Sequence, residues 1–307
     1  MKKILGILPH SIGGRLTTSS ILDGFELNDY KVVIFDELKN EDFKNYIDDD
    51  YDYIVGYDFS PVKLKIDYKL DIPTIAYFSD VIQDKTSGVC YLEYNKYLKN
   101  DDIFVFYWDR ELAKKDGFFY QPHFVNTNIY KNFSTPKYDV MFMGRLDTDL
   151  RLNMFIKLNK LLPNLKFCYW GIEKHFLDAI KRCNNSDKKI LENAYLGFID
   201  NEIDMAKAIN DTKIVYNINA QGISSLNYRS IQVLACERLL ISDKREELDN
   251  FNNIIPIYEN IEDLAQKIKY YLNNKDEYFN ITSTCKNIIK EKFDSKICTK
   301  NMLSKIN

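Results

Sequence analysis

Five short runs in the first hundred or so residues, Lys3–Leu8, Lys31–Asp36, Tyr53–Tyr57, Thr74–Phe78 and Ile103–Tyr107, are apolar, β-branched or aromatic almost throughout. This recurrence constrains the fold more than any other feature. A strand wet on one face alternates polar and apolar residues, so strands that stay apolar must be covered on both faces. The stretches between them, such as 41–46 and 110–115, carry polar and apolar residues at helical spacing. Strand, turn and helix repeated in this way predict a parallel sheet with helices on both sides, a doubly wound α/β domain.

The pattern breaks at 126–137 into Asn, Thr, Ser and Pro, and a second series follows. Its predicted strands are 139–143, 166–170, 195–198, 213–217, 239–242 and 255–257. Helices are expected at 149–162, 175–183, 202–210, 226–235, 261–273 and 277–292, with a last one at about 295–306. A chain of 307 residues is long enough for two domains at roughly 150 residues each. The expected division is a first domain over 1–132, a second over 133–285, and a helical tail over 286–307 that packs back on the first domain. Two such domains would face a central cleft lined by the carboxyl ends of their strands, where α/β proteins bind ligands.

Charge excludes one class of function. With 42 basic and 45 acidic residues well mixed, the net charge of −3 gives no basic footprint for nucleic acid. Any phosphate must be met by a few placed groups. The six cysteines (Cys90, Cys168, Cys183, Cys236, Cys285, Cys298) form no C-x-x-C pair and have no His at zinc-ligand spacing, so reduced, buried thiols are expected. The N-terminal apolar run, Ile4 to Leu8, is too short for a signal peptide, and no segment reaches the ~18 apolar residues of a membrane span. The expectation is a cytoplasmic protein whose only membrane contact would be peripheral, at the inner face.

The densest cluster of candidate residues lies at 222–243. A Gly- and Ser-rich loop, containing Gly222 and Ser225, follows a strand whose end carries Asn217 and Asn219, and runs into a helix. Backbone N–H groups at such a helix start, with its positive dipole end, suit a phosphate. Arg229, near Tyr228 in the first turn, would add a charge-assisted contact. Gln232, three residues on, shares its face and would meet a ribose hydroxyl. The competing reading is an ordinary helix capped by Ser225 or Asn227, with Arg229 in solvent.

Gly144 and Arg145 close the first strand of the second series, where a glycine admits close backbone approach and an arginine tips the crevice. Arg151 reads as a helix-surface charge. In the first series, Gly13, Gly14 and Arg15 follow the first strand and His10, and a helix is expected to open at about Thr17. Asp80 closes the fourth strand; the residue pattern alone favours a helix cap, and an Asp facing the cleft would suit a general base. His123 is a weaker candidate near the domain junction. The D-x-D string Asp50 to Asp52 lies at the amino end of a strand, away from the expected site, and reads as a solvated acidic turn, so no essential metal or other cofactor is expected.

The second series resembles the C-terminal half of the CgeB-like (spore-maturation-type) glycosyltransferases, of GT-B fold. The matching pieces are Asp-Val-Met-Phe-Met-Gly at 139–144, Leu-Lys-Phe-Cys-Tyr-Trp-Gly at 165–171, Lys-Ile-Val-Tyr-Asn-Ile-Asn at 213–219, Tyr-Arg-Ser-Ile-Gln-Val-Leu-Ala-Cys at 228–236, Leu-Leu-Ile-Ser-Asp at 239–243, and the helix at 263–272. They fall in the family's order over about half the chain. The resemblance implies a GT-B fold and a nucleotide-sugar donor held by the second domain, with Arg229 at the diphosphate, Gln232 at the ribose and, as in the wider GT-B group, Gly144 and Arg145 at the phosphates; Asn219, Ser225 and Tyr228 are further candidate donor contacts. It also implies a glycine-rich loop (Gly13, Gly14, Arg15) between donor phosphate and acceptor, with Asp80 or His10 as base. The sequence departs from the family at Gln232, usually Glu, and at Glu237, usually Gly. The expected activity is metal-independent sugar transfer to a glycan, lipid or protein in bacterial surface-polysaccharide or glycoconjugate synthesis. The alternatives are a non-catalytic GT-B-like partner subunit and a nucleotide-sugar epimerase.

Overall fold

A computed structural model describes residues 2–48, 50–82, 91–219 and 222–306. By their contacts the residues divide into two units: Met1–Thr127 with Ala220–Ile231 and Lys290–Asn307, and Asn128–Asn219 with Gln232–Ile289. The expected division differs mainly at 220–231, which groups with the first unit rather than the second.

The first unit is built on a parallel sheet. Its strands are β1 (Lys3–Leu8), β2 (Lys31–Asp36), β3 (Tyr53–Tyr57), β4 (Thr74–Phe78), β5 (Ile103–Tyr107) and the two-residue β6 (Phe119–Tyr120), in the order β2-β1-β3-β4-β5-β6. The first five coincide with the apolar runs of the sequence. β4 is buried at every position, as a central strand covered on both faces must be. β6 is too short to leave a pattern; it pairs Phe119 with Phe106 and Tyr120 with Tyr107.

Helix α1 (Ile12–Glu26) opens five residues before the expected start, because Ser11 caps it by accepting the Gly14 N–H. α2 (Ser60–Asp67) has Pro61 in its first turn, where the missing N–H costs nothing. α3 (Arg110–Asp116) is capped by Asp109. The stretch 41–46 shortens to a 3₁₀ turn at Phe43–Tyr46, which packs Phe43 edge-on against Phe35 at 4.9 Å.

In the second unit β7 (Tyr138–Met143), β8 (Phe167–Trp170), β9 (Tyr195–Gly197), β10 (Thr212–Asn217) and β11 (Leu239–Ser242) form a parallel sheet in the order β11-β10-β7-β8-β9. Phe142 stacks on Tyr216 at 5.2 Å and on Tyr169 at 6.1 Å at its core. The strand expected at 255–257 is a single parallel bridge, Ser242 to Ile257. Pro256 has no N–H to extend the ladder. The helices are α4 (Asp149–Leu161), α5 (Glu173–Arg182), α6 (Asn185–Ala194), α7 (Glu202–Asn210), α8 (Tyr228–Ala235), α9 (Ile261–Asn273) and α10 (Lys275–Lys292); α8 and α10 each contain a unit boundary. α6 escaped the sequence reading because its first half is polar; Asn184 caps it through the N–H groups of Ser186 and Asp187.

The last helix, α11 (Ser295–Ile306), belongs to the first unit and packs on α1, where Asn28 Nδ2 donates to Lys296 O at 2.8 Å. Asp294 Oδ2 accepts the Thr127 hydroxyl at 2.6 Å, tying the start of this helix to 125–127. Cys168, Cys236, Cys285 and Cys298 are buried free thiols and Cys183 is half-buried, while Cys90 lies outside the described residues. Among the described residues no helix is long and apolar enough to cross a membrane.

Candidate functional site

In a doubly wound sheet the ligand crevice opens outside the carboxyl ends of two strands whose connections leave in opposite directions. In the second unit these are β7 and β10. β7 ends in Gly144, whose φ of +149° lies in a region that side chains rarely adopt, while a Cβ there would touch only Phe142, at 3.8 Å. The glycine is required by the backbone rather than by space. Its N–H donates to Trp170 O at 3.0 Å and its carbonyl accepts the Tyr169 hydroxyl at 3.1 Å, which fixes the turn that carries Arg145.

Arg145 is exposed, with Nε 3.3 Å from Asp147. Arg151, expected on the surface of α4, turns back instead. Its guanidinium makes long contacts with Arg145 O and Asp147 at 3.4 Å and with Ile218 O at 3.5 Å. It therefore spans the ends of β7 and β10, with only 13 % of its side chain exposed. Burial lowers its pKa; Asp147 opposes that shift and Arg145 adds to it.

On the β10 side the Asn219 N–H and Nδ2 both donate to Asp243 Oδ1, at 3.1 and 2.7 Å. Arg245 donates to Asn219 O at 3.1 Å and lies 3.3 Å from Asp243 Oδ2. Three guanidiniums (Arg145, Arg151, Arg245) and two carboxylates (Asp147, Asp243) thus ring this end of the sheet, a net positive surface suited to an anion. The sequence reading missed Arg245, two residues beyond the matched run at 239–243.

The loop at 222–225 differs from the expectation of free N–H groups. Asp109 Oδ2 accepts the backbone N–H of Ile223, Ser224 and Ser225 at 2.7, 2.9 and 3.1 Å. Its Oδ1 accepts the N–H of Glu111 and of Leu112, both at 3.1 Å, and the Ser224 hydroxyl at 3.2 Å. A protein carboxylate therefore occupies the place proposed for a phosphate. Burial alone would raise the Asp109 pKa, but these N–H groups outweigh it and hold the carboxyl below its ordinary value. A strand-end Asp before a helix is a legible cap, but its second partner is more than a hundred residues away in sequence.

Ser225 is buried, and its hydroxyl accepts the Arg110 N–H at 3.3 Å. Tyr228 is anchored in the first unit by a 2.7 Å hydrogen bond between its hydroxyl and Ser20 Oγ, and its ring lies 5.4 Å from His123. Asn227 caps α8 through the Ser230 N–H at 3.1 Å. Arg229 is half-buried on the first turn. Gln232 is fully buried and donates to the Tyr130 hydroxyl at 2.6 Å, the geometry of an internal support rather than of an accessible ligand group. Glu237 takes a φ of +54° just past α8, and Arg238 N–H returns to Val233 O at 3.2 Å. This closure of a helix end is one that glycine favours.

In the first unit the corresponding strands are β1 and β3. A Cβ at Gly14 would meet Ser11 Oγ at 2.5 Å and the Tyr57 ring at 2.7 Å, whereas one at Gly13 would meet nothing within 4 Å. Gly14 is therefore a packing glycine, and Gly13 faces open space. Arg15 does not extend from the loop; it forms a two-pronged pair with Asp36 at 2.6 and 2.7 Å. His10 is exposed, and its backbone N–H donates to Glu37 Oε2 at 3.2 Å. Asp80 is half-buried and accepts the Tyr57 hydroxyl at 2.8 Å, which in turn accepts from Ser79 Oγ at 3.0 Å. Burial, with Asp80 adding, pushes the Tyr57 pKa well up, so the phenol stays a donor. His123 is buried and pushed down to about 3 by that burial; it is a neutral core residue 3.3 Å from the Tyr77 hydroxyl. The D-x-D string lies at the amino end of β3, where Asp52 accepts the Lys3 N–H at 2.7 Å. No group of three or more His, Cys, Asp or Glu side chains among the described residues is placed to hold a metal ion.

Two Rossmann-like units, each a parallel sheet wound on both faces, define a protein of the GT-B fold. Residues 151–303 match the model of a family described as glycosyl transferase-like, a coarser assignment than the CgeB-like resemblance. No curated protein sequence matches the chain. Among solved structures it is similar to a glycosyltransferase from Rickettsia africae (TM-score 0.67, 14 % identity, covering 99 % of this chain and 97 % of that one). It is also similar to HepE of Anabaena in complex with UDP (0.69, 13 %, 100 % and 99 %) and to a sucrose-phosphate synthase from Thermosynechococcus elongatus (0.69, 10 %, 99 % and 98 %). At these identities the likeness is one of fold.

Proposed function

We propose that the protein is a glycosyltransferase that moves a sugar from a nucleotide-sugar donor to a hydroxyl of a glycan, lipid or protein acceptor. The cellular role we assign is bacterial surface-polysaccharide or glycoconjugate synthesis, on the cytoplasmic side of the membrane. The observation that carries the reading is the arginine-ringed end of the second sheet, where Arg145, Arg151 and Arg245 surround Gly144 and Asn219. The family match over 151–303 supports it, as does the fold shared with HepE, whose structures hold UDP and UDP-glucose.

Breaking the sugar–phosphate bond leaves growing negative charge on the departing nucleoside diphosphate. Fixed guanidiniums stabilise that charge without reorganising, a role that elsewhere falls to a metal. Arg145 and Arg151 take the diphosphate, with Arg245 beside them. The loop N–H groups at 223–225 take no part, since Asp109 holds them. For an inverting reaction Asp80 receives the acceptor proton, with the Tyr57 hydroxyl keeping its carboxylate oriented.

The test is UDP release from UDP-sugars by the purified protein, with acceptor glycans and excess EDTA present. The proposal expects acceptor-dependent release that EDTA does not abolish and that Arg151→Ala lowers by ~10²-fold, the usual cost of losing one such stabilising group. Conversion of the donor to an epimer without acceptor would refute it.

A further inference from the structure

We infer that the protein is a twofold dimer in solution, in which β2 pairs with the β2 of a second copy of the chain and joins two first-unit sheets edge to edge. The pairing is independent of the glycosyltransferase reading.

A strand that is apolar throughout needs cover on both faces. In the first unit β1, β3, β4 and β5 are buried along most of their length. β2 is not: it buries Phe35 and Asp36, leaves Val32 and Val33 half-buried, and has Ile34 44 % exposed. It is also an edge strand. Its ladder to β1 opens with the Lys31 N–H on Lys2 O at 2.8 Å and closes with the Glu37 N–H on Leu8 O at 3.0 Å. Alternation along the strand therefore turns the backbone groups of Val32 and Ile34 away from β1, where no described strand meets them.

Open edges invite pairing with other chains, and proteins usually shorten or cover them. The other three edges conform. β6 has two residues, and Lys305 Nζ donates to Tyr120 O at 2.6 Å. β9 has three residues, and β11 is buried throughout and bridged to Ile257. β2 has six residues, with neither a proline nor a charge between Lys31 and Asp36.

Charge selects the occupant and its direction. β2 begins at the cation Lys31 and runs out at the anions Asp36 and Glu37. A parallel copy would set like charges side by side, whereas an antiparallel copy sets opposite charges together. With Ile34 opposite Ile34 of the copy, the outward backbone groups exchange hydrogen bonds, Val33 meets Phe35 twice, and Lys31 meets Glu37 at both ends. Sliding the copy by two residues either way sets Lys31 against Phe35 or Lys39 instead. Such a self-complementary contact closes on itself and yields a dimer rather than a fibre.

Sedimentation equilibrium of the full chain tests this. The expected result is a monomer–dimer equilibrium whose dissociation constant rises at least ~10-fold in Ile34→Lys, and by a smaller factor in Lys31→Glu, with circular dichroism unchanged in both. Opposed residues of such a pair stand about 5.5 Å apart at Cα, within disulfide reach. Mild oxidation should therefore join two copies of the Ile34→Cys variant and leave the natural protein unlinked. A chain monomeric at every concentration, a dimer unmoved by Ile34→Lys, or an Ile34→Cys variant that oxidation does not cross-link would each overturn the inference.

Discussion

The carboxylate of Asp109 accepts both the backbone N–H of Ser224, at 2.9 Å, and its hydroxyl, at 3.2 Å. The two residues are joined across more than a hundred positions of sequence, and with Ile223 and Ser225 they form an anion nest whose anion is part of the chain. Asp109→Ala removes the cap of α3, worth ~1 kcal/mol, and leaves buried N–H groups unmet at ~1–3 kcal/mol. At 2–4 °C per kcal/mol for a unit of this size, the melting temperature should fall by roughly 4–16 °C. Inorganic phosphate should recover part of that loss and so stabilise the variant more than the natural protein; equal responses in both would mean that the nest is not filled by Asp109.

The Asp36–Arg15 pair predicts an acid-sensitive contribution to stability. The Arg15 guanidinium lowers the Asp36 carboxyl to about 2, below the ~3.9 of an unfolded Asp. A carboxyl with a depressed folded pKa stabilises fully above the unfolded value and loses that contribution as pH falls through the folded one. Melting temperature should therefore decline as pH drops from about 4 to 2, less steeply in Arg15→Gln. Parallel curves for the two proteins would remove the pair from the account.

Glu237 occupies a left-handed position that glycine adopts without strain. Glu237→Gly relieves ~1 kcal/mol there and forfeits a partly exposed ion pair with Lys286, at 2.7 Å, worth less than that. The net expectation is a melting temperature raised by ~1–3 °C with UDP affinity unchanged. A lower melting temperature would show that the ion pair outweighs the strain.

Much of the scaffold was legible because it is written locally. β1 to β5 coincide with apolar runs, and α7, α9 and α11 have the bounds their caps and periodicity suggest. Gly144 and Arg145 could be placed at a strand end because β7 is such a run. What escaped was set by distant partners. The loop at 222–225 has the composition of a phosphate cradle, but its N–H groups go to Asp109, which local sequence cannot foretell. Arg151 has the spacing of an exposed helical residue, yet it folds back to Ile218 O because β10 lies beside β7. Arg15 looked free in a glycine-rich loop until Asp36, at the end of the neighbouring strand, claimed it.

The central claim is that the arginine-ringed end of the second sheet binds a nucleoside diphosphate. Calorimetric titration of the full chain with UDP, with EDTA present, tests it most directly, with Arg151→Ala as the paired variant. The account predicts saturable UDP binding that EDTA does not weaken. Arg151→Ala should reduce the affinity by ~10- to 100-fold, the ~1.5–3 kcal/mol of a charge-assisted hydrogen bond, with little change in melting temperature. Equal affinity in the variant, or no binding of UDP or of GDP and dTDP in its place, would contradict the claim.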